Sequence, residues 1–201
     1  FDTLSLLKFT LPSMIMMLFM ALYQMVDAVF VSNFVSETAL SALNIVYPLI
    51  SFIIAVAIML ATGGSAVIAK KMGEGEHALA RQLFSMVVLI GVLFGIAMTL
   101  VGIFFTRPLI HLMGSTPALD PYCYDYLYTL MLFSPFAVLQ LLFQTFFITA
   151  GKPHLGLVVT VLAGIANIFF DFLFIVVIPL GVKGAAYGTA IGYCIPAIFG
   201  L

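Results

Sequence analysis

The chain has 201 residues, of which 64% are hydrophobic and only 7% charged. Soluble domains carry about 25% charged residues, so this chain cannot cover a water-facing surface and reads as an integral membrane protein. A net charge of −1 without a basic patch excludes nucleic acid as a partner, and Cys123 and Cys194 form neither a disulfide framework nor a CxxC site.

Six apolar stretches follow one another, each near the ~20 residues needed to cross a bilayer. They are Leu6–Val31, Ala39–Ala69, Gln82–Phe105, Tyr122–Thr149, Leu155–Ile178 and Ala185–Leu201. None alternates with period 2, so helices rather than barrel strands are expected. The second stretch is about 30 residues long and must tilt, bend or project. The chain opens on Phe1, without the basic start and cleavage site of a signal peptide, and stops at "PAIFGL" within an apolar run. It is therefore expected to be a fragment of a longer polypeptide.

The connections hold nearly all the charge. "KKMGEGEHALAR" (Lys70–Arg81) carries Gly73 and Gly75 as helix breakers. "TRPLIHLMGSTPALDP" (Thr106–Pro121) reads as a longer loop with a short amphipathic piece at the surface, and "GKP" (Gly151–Pro153) and "PLGVKG" (Pro179–Gly184) as tight turns. Lys8, Lys70, Lys71, Arg81 and Lys152 fall on one side and only Arg107 and Lys183 on the other. The positive-inside rule then puts the N-terminus in the cytoplasm of a multi-pass plasma-membrane protein. His77, His111 and His154 lie at loops or span ends on both sides, where solvated surface side chains are expected rather than a shared metal site.

Two acids break the pattern. Asp27 and Asp171 lie inside the first and fifth stretches, where a charge costs on the order of 2.5–3.5 kcal/mol. Each lies 19 residues beyond a lysine at the same edge, Lys8 and Lys152, which puts both roughly 28 Å from that edge. Asn167 shares a helix face with Asp171 at i, i+4, and Gln24 shares one with Asp27. Thr189 enters from the opposite edge to about the same depth, and Asn44 and Tyr47 enter from that side too. Such polar groups can simply hydrogen-bond across a bundle, and Asn44, Gln140 and Gln144 allow that reading. Two carboxylates at one depth, with no Lys or Arg in the spans beyond Lys8 at the edge, require more. They need a cation or protons. Oxygen ligands from Asp, Asn and Thr suit a hard cation, and a desolvated pair of acids can equally hold a proton.

Pro12, Pro48, Pro135 and Pro196, with Gly63, Gly64, Gly164, Gly188 and Gly192, interrupt the apolar stretches. Pro12 and Pro135 lie mid-run, where a missing backbone donor permits a kink. The 20 Phe, 11 Met and 8 Tyr would give a cavity adaptable walls that attract organic cations, although lipid-facing positions favour Phe as well.

The order and spacing of "LPSMIMMLFMALYQMVDAVFVS", "ATGGSAVIAKKMGEGE", "QTFFITAGKP", "ANIFFDFLF" and "GVKGAAYGTAIG" resemble the multidrug and toxic compound extrusion (MATE) family along the whole chain. The resemblance implies an all-α lobe of six transmembrane helices, residues 1–201, that is the N-terminal half of a two-lobe, twelve-helix exporter. It implies a V-shaped molecule with a central cavity. The family's cation site maps onto Asp27, Asn167, Asp171 and Thr189, and its bending first-helix proline onto Pro12. Gln24, Asn44, Tyr47 and Gln140 are candidates for supporting or cavity-lining roles. The expected activity is antiport of amphipathic organic cations against protons or sodium. No other cofactor is expected, and the partners are the bilayer and the absent C-terminal lobe.

Two alternatives belong to other classes. A flippase for lipid-linked oligosaccharides would be expected to line its cavity with Arg and Lys, and apart from Lys8 at the edge of the first, no span here has any. An intramembrane enzyme would want a Ser–His pair or HExxH motif, and no His lies mid-span. A non-transport membrane subunit has no feature of its own in the sequence.

Overall fold

The computed structural model describes residues 3–201, with the side chains of residues 1–6, 8 and 9 outside the description. Lys8, used above to mark the membrane edge, therefore contributes only its backbone position. Seven α-helices run α1 (Thr3–Phe34), α2 (Glu37–Gly73), α3 (His77–Leu112), α4 (Asp120–Leu132), α5 (Ser134–Thr149), α6 (Pro153–Asp171) and α7 (Val182–Gly200), with a π-helical run at Phe172–Val177 between α6 and α7. No strand occurs among the described residues. Apolar side chains without nearby water force each backbone to satisfy itself, which leaves helices as the available solution.

The helices form six rods, because α4 and α5 are one rod bent by 57° at Phe133. Pro135 causes the break: it lacks an N–H for the Met131 carbonyl four residues earlier. That carbonyl is not orphaned. The Thr99 hydroxyl on α3 donates to it at 2.8 Å. Gly95, one turn earlier on α3, packs against the Pro135 backbone where a Cβ would not fit. By contrast Pro12, Pro48 and Pro196 lie inside helices assigned without a break.

Several boundaries differ from the sequence expectation. α3 continues to Leu112 through Arg107 and Pro108, so the expected loop from Thr106 begins only after Leu112. The extension is held because Thr106 and Ile110 are buried and the Thr106 hydroxyl donates to the Gly102 carbonyl. α2 and α3, with 37 and 36 residues, are about 55 Å long and outreach the ~40–45 Å of a whole bilayer. The two tight turns do fall at Gly151 and Gly181, whose positive φ of 73° and 62° favours glycine.

α7 differs in kind. α1, α2, α3 and α6 with its π run are long and apolar enough to cross a membrane singly, as is the bent α4–α5 pair; α7 is not. Its Gly and Ala positions face neighbouring helices: Gly184, Ala185, Ala186, Gly188, Ala190, Gly192 and Ala197 are all buried. Gly184, Gly188 and Gly192 form a small-xxx-small stripe that lets α6 and its π run approach closely. A Cβ at Gly184 would meet the Phe174 carbonyl at 2.6 Å, and one at Gly188 would collide with the Asp171 carboxylate. Gly164 on α6 plays the same part toward Phe19 and Tyr23 on α1. The expectation that Gly164, Gly188 and Gly192 interrupt helices is thus corrected: they sit inside unbroken helices as close-packing positions.

Candidate functional site

These glycine contacts bring α1, α6 and α7 together around the two acids. Asp171 is the last residue of α6 and is fully buried; Asn167, one turn earlier, is 2% exposed. Asp27 reaches in from α1 and Thr189 from α7. Asp27 lies near enough to Asp171 for their charges to interact. The π run begins directly after Asp171, and its wider turn is closed by Ile178 N–H donating to the Leu173 carbonyl at 2.9 Å. Single π turns are frequent at functional sites.

Hydrogen bonding singles the same residues out. Among the described residues, the buried side-chain oxygens without a hydrogen-bond partner are Asp27 Oδ1, Asn167 Oδ1, both carboxylate oxygens of Asp171, Thr189 Oγ1 and Gln140 Oε1. An unsatisfied buried polar group costs ~1–3 kcal/mol, and more when charged. Ordinary helix packing does not leave such groups open. The neighbouring Gln144 illustrates the alternative, since its Nε2 donates to Thr160 Oγ1 at 3.0 Å across α5 and α6. Gln140 stands between the two cases: it is buried beside the Tyr23 hydroxyl, with its own carbonyl oxygen unpaired.

No basic group offsets the acids. The ion pairs among the described residues involve Lys70 and Lys71 with Glu74 and Glu76, His111 with Asp120, and Lys183 with Asp125. All lie at helix ends. No three of His, Cys, Asp and Glu converge among the described residues. The open ligands are oxygens of two carboxylates, an amide and a hydroxyl, a set that fits a hard monovalent cation or protons rather than a thiophilic metal.

The site has two layers. Asp27 and Thr189 line an open cavity of about 160 Å³, together with Gln24, Asn44, Tyr47, Tyr126 and Tyr193. Asp171 and Asn167 lie behind it, off the cavity wall. Asp27 therefore stands between the accessible space and the closed pocket. Gln24, Asn44 and Tyr47 line the cavity, and Gln140 lies off it. Pro12 is buried on α1 more than four turns from Asp27 and is no part of the pocket.

Tyr126 and Tyr193 escaped the sequence reading. Both line the cavity that Asp27 also lines. Their only sequence signal is spacing: Tyr193 lies four residues after Thr189, on its face of α7.

A bundle of six helical rods with two unneutralised acids buried where α1, α6 and α7 meet defines an all-α polytopic membrane protein. The chain belongs to the MatE family, whose profile matches residues 12–173. It is 24% identical over 193 residues to the multidrug export protein MepA of Staphylococcus saprophyticus, covering 96% of this chain and 43% of that protein. Over 195 residues it is 24% identical to MepA of Staphylococcus haemolyticus, covering 97% and 43%. The solved structure of the MATE multidrug transporter DinF-BH superposes with a TM-score of 0.92 at 27% identity, over 96% of this chain and 44% of that one. The chain thus spans less than half the length of the relatives it matches.

Proposed function

We propose that this chain is the N-terminal lobe of a two-lobe secondary exporter that drives amphipathic organic cations out of the cell against a proton or sodium gradient. Its N-terminus is cytoplasmic. Asp27, Asn167, Asp171 and Thr189 bind the coupling ion, and Gln24, Asn44 and Tyr47 belong to the cavity through which it enters. The observation that carries the reading is that the unpartnered buried oxygens, Gln140 Oε1 apart, belong to these four side chains. The names of the relatives, multidrug export proteins and a multidrug transporter, support the substrate class.

The residues define distinct tasks. Asp27, at the cavity wall, is the first carboxylate an ion meets. Asp171 and Asn167, out of solvent, supply oxygens that gain a partner only when the ion arrives. Thr189 closes the set from α7. Neutralising the pocket removes repulsion between two carboxylates, so occupancy changes how tightly α1 packs on α6 and α7. Pro12 gives α1 a point of bending in that response.

The test is export by the full-length protein in vesicles with an imposed gradient. Asp27→Asn mimics one permanently neutral acid and should insert normally yet lose gradient-driven export. Asp171→Asn should behave alike. The double variant should be little worse than either, because the two act as a unit. Full gradient-driven export by Asp27→Asn would remove the pocket from the mechanism.

A further inference from the structure

A second feature lies at the other end of the bundle, where α2 turns into α3. Carboxylates there already occupy the lysines. Lys71 Nζ is 2.7 Å from Glu74 and 3.3 Å from Glu76, and Lys70 Nζ is 3.9 Å from Glu74. Arg81, at the first turns of α3, makes no ion pair among the described residues. Its side chain stands at the rim of a groove of about 250 Å³ between the ends of α2, α3 and α5, walled by Ile68, Met72, Phe84 and Phe146. The Phe84 and Phe146 rings meet at 5.0 Å between centroids, which gives one wall a continuous apolar face.

An unpaired guanidinium over an apolar groove at the rim of a membrane rod has the two-part chemistry of a phospholipid. The planar fork of arginine suits a phosphate. The groove suits the first segment of an acyl chain. Free phosphate would leave the apolar walls wet. A zwitterionic headgroup brings its own cation and gains less from Arg81. We infer that this groove binds one anionic phospholipid of the adjoining leaflet, with Arg81 on its phosphate and the acyl chain between Met72 and Phe146. The inference does not depend on what the protein transports.

The chain has no tryptophan, so one introduced at the groove adds a local reporter. Met72→Trp suits the purpose because Met72 is 39% exposed at the wall; Phe84→Trp gives a second reporter if the first fails to insert. The full-length variant is placed in nanodiscs containing brominated phosphatidylglycerol or brominated phosphatidylcholine at equal mole fraction, and the added fluorescence is read against the parent. The expected result is about a five-fold preference for phosphatidylglycerol, the effect of one basic residue worth ~1 kcal/mol near a membrane. Arg81→Gln should abolish that preference without abolishing quenching. Equal quenching by both lipids, or a preference surviving Arg81→Gln, overturns the inference. So does relief by inorganic phosphate at constant ionic strength, which would make the ligand a free anion. Absence of quenching overturns it as well, because the groove would then be covered by another part of the polypeptide.

Discussion

Asp171 shows how a single side chain is held in a place that chemistry disfavours. Its carboxylate is fully buried with both oxygens unpartnered, and the space it occupies exists because residue 188 has no side chain. A Cβ at Gly188 would collide with Asp171 Oδ1, whereas one at Gly192 would find only ordinary contact, 3.4 Å from Asn167 Cβ and 3.5 Å from the Ala163 carbonyl. Two similar substitutions on one stripe should therefore part company. Gly188→Ala should cost about 1–3 kcal/mol by overpacking and displace the carboxylate, so cation-dependent thermal stabilisation of the full-length protein should disappear. Gly192→Ala should leave that stabilisation intact and raise helix stability by roughly 0.5–1 kcal/mol. Thermal midpoints measured with and without sodium, and at two proton concentrations, check both. Equal behaviour of the two variants would mean that the Gly188 contact does not position the acid. The four acid-pocket residues were legible in the sequence because charge in an apolar run is conspicuous and helix rise converts numbering into depth. Gly188 was not, since a glycine reads as a breaker until its neighbour is known. Tyr126 and Tyr193 were not legible either: tyrosine is at home on lipid-facing, interfacial and cavity surfaces alike.

At the scale of elements, prolines with similar sequence surroundings do different things. Pro135 separates α4 from α5, and Thr99 and Gly95 on α3 stabilise the bend. Pro12 leaves α1 continuous. A sequence identifies a missing donor but not whether a neighbouring helix supplies a substitute, so both looked like kinks. The π run was invisible for a related reason: it changes the hydrogen-bond register without changing composition. The end of α3 was misjudged because Arg107 and Pro108 read as a loop, while burial of Thr106 and Ile110 carries the helix past them. Pro12 is buried in an unbroken helix, and the role proposed for it is a capacity to bend. Pro12→Ala restores the N–H and relieves a penalty of up to ~3 kcal/mol in a helix interior, which stiffens α1. Export by the full-length protein should fall several-fold at near-normal expression, with cation-dependent thermal stabilisation retained because the pocket is untouched. Unchanged export would leave Pro12 an ordinary membrane-helix proline.

For the whole molecule, the two ends of the bundle hold their basic residues differently. The turns at residues 74–76 and 150–152 lie at the end that holds Lys70, Lys71, Arg81 and Lys152. The turns at residues 113–119 and 178–181 lie at the other, where Lys183 pairs with Asp125 at 3.2 Å and Arg107 stacks over Tyr124 at 5.5 Å. Both basic residues at that end thus lean on α4, while Arg81 and Lys152 make no ion pair among the described residues at their own end. The count of basic residues favours the proposed orientation, with Lys8, Lys70, Lys71, Arg81 and Lys152 at one end against Arg107 and Lys183 at the other. Cysteine accessibility in intact cells tests it with minimal disturbance. Ala78 and Ala118 are exposed at opposite ends, and alanine to cysteine adds one atom. Native Cys123 is fully buried, with its thiol directed at the Ala42 carbonyl at 3.6 Å, and the half-buried Cys194 is first replaced by alanine, so background labelling from these residues should be low. A membrane-impermeant maleimide applied outside should label Ala118→Cys at once and Ala78→Cys only after the membrane is opened. The reverse pattern would turn the bundle over and put Arg81 and its groove in the outer leaflet. Asp27 would then lie about 28 Å from the outer rather than the inner edge, and a coupling ion driven inward by its gradient would meet the pocket from the far side.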